Sequence, residues 1–270
     1  MASPISCMDN GPDSPLLSAS ERPAAHVLNG TGRGRAVLVC EHASRNIPAA
    51  LNGLGLSNEA RESHAAWDIG AQDVAQRLSR ALDAPLVESC VSRLVYDCNR
   101  PPEAPDAMPA RSERFDIPGN VGLSATQRAA RIREVFDPFS ALLEQVIEGR
   151  SVPPVLITMH SFTPVYLGRR REVQIGILHD TDARLADAML QGAACHTALT
   201  VRRNDPYGPD DGVTYTLRRH GIARGLINVM IEIRNDLLSS EGERAEMAAM
   251  LSGWLTQAMD GIDTPGKRTR

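Results

Sequence analysis

Short apolar runs alternate with amphipathic helical segments along most of this chain, and that alternation limits the fold more than any other feature. RAVLVC (35–40), APLVES (84–89), PPVLITMHSF (153–162), EVQIGILHD (172–180) and GLINVMIEIRNDL (225–237) are short, apolar and rich in β-branched residues, so they read as buried strands. RLVYD (93–97) and TALTVRRN (197–204) read as further strands. Between them lie helical patterns. One runs from about Asn58 to Leu82, with Ala66, Ile69, Val74 and Leu78 on a common face. A second covers 123–149, capped by Ser124 and bent or broken near Pro138. A third covers 181–194, and a short one 213–221. The last, about Glu241 to Ala258, presents Met247, Met250, Leu251, Trp254 and Leu255 as one apolar face.

Strands alternating with helices predict a three-layer α/β/α domain with a mostly parallel central sheet. Such sheets carry their sites beyond the carboxyl ends of the strands. A chain of 270 residues with 42% hydrophobic content suffices for one sizeable core. We read residues 35–262 as that single domain, 1–34 as a loose leader rich in Ser, Pro and Gly, and 263–270 as a tail. The segment CNRPPEAPDAMPARSERFDIPGN (98–120) is a long loop of the kind that is usually functional or disordered.

Composition excludes several classes. A net charge of -4 lacks the basic excess of a nucleic-acid binder. The densest basic run, Arg169-Arg170-Arg171, reads as a solvated loop or face, with contact to an anionic ligand as its alternative. No run reaches the roughly 20 apolar residues of a membrane helix, and the N-terminus lacks the pattern of a signal peptide. Five scattered cysteines without a CxxC pair fit reduced thiols in the cytoplasm. No GxGxxG, GxxxxGK or GxSxG occurs, so nucleotide-binding and serine-hydrolase chemistry lack their marks.

Three of the apolar runs end in reactive groups: Glu41-His42, His160-Ser161, and Glu232 with Arg234. In a parallel sheet these ends face one crevice. Two histidines and a carboxylate converging there form the ligand set of a catalytic zinc or similar metal. Glu232 is placed to act as general base. Each piece has a structural alternative: a satisfied core histidine, or an ion pair within EIR. His64 and Asp68 in ESHAAWDIG are four apart, which on a helix puts both on one face. Asn99 and Arg100 follow the RLVYD run, and an arginine fork suits a substrate carboxylate, or else anchors its own loop. Tyr207 and His220 lie in a turn-rich stretch that turn chemistry also explains.

CEHASRNIP, HAAWDIGA, YDCNRP, TMHSF, NDPYGPDDGVTYTLRRHG and IEIRNDL occur in an order that resembles the N-formylglutamate amidohydrolase family, from about Val37 to Trp254. The resemblance implies a fold related to zinc-dependent carboxypeptidases and to succinylglutamate desuccinylase, a hydrolase-like, zinc-peptidase-like architecture. It implies hydrolysis of the N-formyl amide of N-formyl-L-glutamate to glutamate and formate, in histidine catabolism. It assigns His42 and His160 as metal ligands, with Asp68 as the third and His64 or Glu41 as alternates. Zn2+, or another divalent metal, is the cofactor. Glu232 becomes the catalytic base, and Arg100 or Arg234 assists the developing oxyanion. Asn99, Arg100, Arg234, His220 and Tyr207 fall in family motifs as substrate-binding residues. The partner is a small-molecule N-acyl acidic amino acid, with no nucleic acid and no membrane, in a chain compatible with homo-oligomers. The alternatives are a deacylase of another N-acyl amino acid, or a non-catalytic homologue that binds acidic amino acids. The chain departs from the carboxypeptidases in carrying His42-Ala43-Ser44-Arg45 where they carry His-x-x-Glu.

Overall fold

In a computed structural model, residues 15–263 are described; the first part of the expected leader and nearly all of the tail lie outside them. Val37 and Val39 of the RAVLVC run point to one face of a sheet, and Ala36, Leu38 and Cys40 to the other. All five are fully buried, which is why the run is apolar without alternation.

Among the described residues eleven strands form: β1 (Ala25–Leu28), β2 (Ala36–Cys40), β3 (Leu86–Ser89), β4 (Arg111–Ser112), β5 (Phe115–Asp116), β6 (Val155–Phe162), β7 (Val165–Tyr166), β8 (Arg169–Arg170), β9 (Ile175–Leu178), β10 (Val201–Arg203) and β11 (Asn228–Arg234). Seven of them make the central sheet in the order β1-β3-β2-β6-β11-β9-β10. The four central strands β3, β2, β6 and β11 are mutually parallel. The edges differ: β1 runs antiparallel to β3, and β9 antiparallel to β11, with β10 following β9. β4 pairs with β5, and β7 with β8, as two small hairpins.

Helices cover both faces. On one side α2 (Ala71–Ala81), α5 (Arg184–His196) and α6 (Glu241–Asp263) pack around Leu78, Met189, Leu251 and Trp254. Trp254 Nε1 donates to the Met189 carbonyl at 2.8 Å, so its one polar atom is satisfied while its ring is buried. On the other side lie α3 (Ala125–Arg131) and α4 (Asp137–Glu148), around Phe136, Phe139 and Leu143. The expected three-layer α/β/α architecture with a mostly parallel sheet is therefore present. Among the described residues no helix is long and apolar enough to cross a membrane.

Four sequence expectations need correction. The helix expected over 58–82 is two: α1 (Asn58–Glu62), ending at extended Ser63, and α2, which starts after Gly70 at φ 82. The amide of Asp68 bonds the His42 carbonyl at 3.0 Å instead of an upstream helical carbonyl, so His64 and Asp68 share no helical face. RLVYD is turn, not strand. Part of the expected leader is ordered: β1 adds to the sheet edge, and the amides of Leu16 and Leu17 donate to Glu134. The break near Pro138 is a π-helical turn over Ile132–Phe136 that joins α3 to α4. A proline has no amide to give its preceding turn, and the wider turn absorbs that loss.

The 98–120 loop is pinned from below. Buried Arg131 donates to the carbonyls of Val95 and Gly119 and to Asn120 Oδ1. Its pKa is lowered to about 10 by burial and by Arg128, the state expected of a cation neutralised by dipoles alone.

Candidate active site

The parallel strands deliver their carboxyl ends to one crevice. Cys40 ends β2, so Glu41 and His42 emerge at its mouth; His160 sits near the end of β6, and Glu232 lies beside it in register on β11. Asp68 arrives from the α1–α2 connection, held by its own amide on the His42 carbonyl. The amide of Ser161 donates to Asp68 Oδ2 at 3.2 Å and fixes the carboxylate from the opposite side.

Both imidazoles turn Nδ1 toward the same oxygen. His160 Nδ1 is 3.0 Å and His42 Nδ1 3.4 Å from Asp68 Oδ2. Their outer nitrogens face other carboxylates: His42 Nε2 lies 2.7 Å from Asp97 Oδ1, and His160 Nε2 3.2 Å from Glu41 Oε2. Inner nitrogens converging while outer nitrogens pair with carboxylates is the arrangement that orients histidine ligands of a metal. Ligand atoms of His42, Asp68 and His160 all lie within 4.8 Å of one another.

The charge balance points the same way. Glu41, Asp68, Asp97 and Glu232 are all buried, and the arginine among them is Arg93, at 3.3 Å from Asp68 and 2.9 Å from Asp97. Buried charge of one sign is costly unless it is compensated. Without a cation the imidazoles must carry it. Burial opposes protonation of His160, but Glu41 and Asp68 hold its pKa well above the ordinary value. Burial and Arg93 oppose it at His42, where Asp97 and Asp68 prevail and the pKa is raised. Asp68 and Asp97 sit below the usual carboxylate range: burial works against this, and His42 and Arg93 outweigh it. A divalent cation held by neutral imidazoles compensates the same surplus, so the residues present fit such a group.

Glu232 differs from its neighbours. Burial raises its pKa to about 7, with Asp68 adding to the rise and His160 opposing it. Its Oε2 is buried without a hydrogen-bond partner among the described residues. This is a carboxyl group able to exchange a proton near neutrality.

The cavity in front of these groups has a volume of ≈190 Å³ and is walled by His64, Arg93, Asn99, Arg100, Glu113, Phe162, Tyr166 and Tyr207, among others. His64 lies at the wall rather than with the inner donors, 2.9 Å from Glu113, and burial lowers its pKa. Glu41 is packed behind His160. Asn99 bridges to the 213–216 segment through the Val213 carbonyl and the Thr216 amide. Arg100 spends its guanidinium on Asp106 at 2.7 Å and on the Gly212 carbonyl at 2.8 Å. Tyr207 lines the cavity, and burial together with Glu232 pushes its hydroxyl up to about 12.

Two expected site residues are placed elsewhere. Arg234 is buried against Asp236 at 2.8 Å and donates to the Arg171 carbonyl, so it secures a loop. His220 is buried beside α4, with Nε2 3.4 Å from Ser140 Oγ. Neither lines the cavity. Conversely, sequence reasoning missed Arg93 and Glu113. The spacing of Arg93 and Asp97, four apart, was the available signal for the first.

Tyr207 reaches the site by an unusual route. β10 runs away from the crevice, and Asn204 at φ 46 turns the chain back. The returning Asp205 carbonyl crosses the sheet at Gly176, where a Cβ would stand 2.3 Å from it. Only glycine permits that approach.

Comparison with known proteins follows this geometry. The sequence profile of the N-formylglutamate amidohydrolase family matches residues 34–239. The crystal structure of gene product Atu2144 from Agrobacterium tumefaciens is 53% identical, with a TM-score of 0.89, covering 92% of this chain and 100% of that one. N-formylglutamate amidohydrolase from Ralstonia eutropha JMP134 shares the fold at 16% identity, with a TM-score of 0.65, covering 89% of this chain and 97% of that one. No curated protein sequence matches.

Proposed function

Because this chain belongs to the N-formylglutamate amidohydrolase family, we propose that it hydrolyses the N-formyl amide of N-formyl-L-glutamate, releasing formate and glutamate, with a divalent metal held by His42, Asp68 and His160. Membership of the family makes it an amide hydrolase. The single observation that carries the metal-dependent reading is the convergence of two imidazole Nδ1 atoms and one carboxylate oxygen beside a buried, unpartnered Glu232.

Two imidazoles and a carboxylate are zinc donors, and zinc in such a site polarises an acyl oxygen and lowers the pKa of water toward ~7. The residues around it do the rest. Asp97 and Glu41 hold the two imidazoles by their outer nitrogens. Glu232 takes the proton of the attacking water and passes it to the leaving nitrogen, work that typically contributes 10²–10⁴-fold. Arg93 keeps Asp68 and Asp97 ionised and in place. Residues of the 99–113 and 162–166 segments wall the cavity in front of these groups.

The test is elemental analysis of the purified protein beside formate release from N-formyl-L-glutamate, with and without chelator. Near-stoichiometric zinc and chelator-sensitive formate are expected. Metal without formate, but with acetate or succinate released from the matching N-acyl glutamate, moves the substrate to another acyl group. Neither metal nor turnover after zinc is restored would refute the proposal.

A further inference from the structure

An acidic amino-acid substrate brings carboxylates into a cavity already rich in them, so a cation must meet it. Arg93 and Arg100 line the cavity, Arg171 and Arg234 lie outside its lining, and three of these four are committed. Arg93 is paired with Asp68 and Asp97, Arg100 with Asp106, and Arg234 with Asp236. Arg171 has no carboxylate partner among the described residues.

It is nonetheless firmly placed. Its guanidinium carbon lies 4.6 Å from the Tyr166 ring centroid, 4.7 Å from that of Tyr207 and 5.5 Å from that of Phe162. All three rings wall the cavity. Aromatic faces hold a guanidinium by its planes and leave its in-plane N–H groups to donate to a carboxylate, which such a fork binds bidentately. Among the described residues its acceptors are the Thr163 carbonyl at 3.4 Å and the Tyr207 hydroxyl, well short of five N–H groups. The hairpin that carries it is fastened from outside: the Arg171 amide donates to Pro164, and its carbonyl receives Arg234.

We infer that Arg171 is the carboxylate anchor of this site, binding one carboxylate of an N-acyl acidic amino acid between the rings of Tyr166 and Tyr207. The inference rests on the hydrolase reading above. It assigns the anionic contact to the last arginine of the 169–171 run and not to Arg100 or Arg234.

The test compares zinc-loaded wild type, Arg171→Gln and Arg171→Lys on N-formyl-L-glutamate, its α-carboxamide and its side-chain carboxamide. Arg171→Gln should lower kcat/KM on the dicarboxylate by ~100-fold, chiefly through KM, and change it less than about threefold on one of the two carboxamides. That carboxamide identifies which carboxylate Arg171 holds. Arg171→Lys, which keeps the charge without the fork, should recover part of the loss. An equal loss on all three substrates makes Arg171 a structural residue and overturns the inference while the hydrolase reading stands. If wild type hydrolyses none of them, the hydrolase reading fails, and calorimetric binding of L-glutamate decides the anchor. Binding abolished in Arg171→Gln supports it; binding retained, or absent from wild type, overturns it.

Discussion

Buried His220 offers the sharpest quantitative test of how this structure is read. It stands in a family-like motif, yet it lies under the sheet beside α4 with its pKa lowered to about 3, by burial first and by Arg219 and Arg224 next. In the unfolded chain a histidine titrates near 6.5. Between those values the unfolded chain binds a proton that the folded chain refuses. Stability therefore rises with pH across the window and is lost as pH falls from 6.5 toward 3. One pH unit corresponds to about 1.4 kcal/mol, so by pH 5 this residue alone removes about 2 kcal/mol relative to pH 7. The assay is urea unfolding followed by tryptophan fluorescence at pH 7 and pH 5, for wild type and His220→Gln. Carboxylates and other histidines contribute to both proteins and cancel in the difference. Wild type should lose about 2 kcal/mol more than the variant, and kcat/KM at pH 7 should agree within about threefold. Equal losses in the two proteins refute the argument, and a variant that folds normally but cannot bind substrate returns His220 to the site.

Three other outcomes are expected. Glu232→Gln should cut turnover by 10²–10⁴-fold with zinc content unchanged by elemental analysis, since the residue moves a proton and holds no metal. Asp97→Ala frees the outer nitrogen of His42 and should weaken zinc affinity by 10–100-fold in a chelator competition, with a smaller effect on the fold. Gly176→Ala sets a methyl group 2.3 Å from the Asp205 carbonyl. The chain must yield, costing about 1–3 kcal/mol in thermal unfolding and raising KM as Tyr207 moves; an unchanged melting point and KM would contradict the crossing.

The strand ends were legible because burial writes itself into sequence. Val155 to Phe162 is fully buried, so any charge at its mouth is conspicuous, and His160 and Glu232 stood out for that reason. Asp68 was visible as a residue but not as a position, since its amide leaves helical bonding for the His42 carbonyl, a long-range contact that no local pattern encodes. RLVYD has strand composition because Leu94, Val95 and Tyr96 are buried, yet they are buried within a turn. Arg234 and Arg171 look alike in sequence. What separates them is Asp236 two residues beyond the first and three aromatic rings around the second, one of which, Tyr207, comes from a distant loop.

The return of the 204–207 segment over Gly176 separates chemistry from selectivity within one chain. His42, His160 and Glu232 ride on or directly follow neighbouring parallel strands whose burial is mutual, so a change in one strains the others. Tyr207 and Tyr166 come from a doubling-back segment and a hairpin that add nothing to the ladder of the central strands. Replacements there alter the walls at little cost to the core. In this architecture lineages can change the acid or acyl group they accept by redrawing two loops, leaving the hydrolytic centre as they found it.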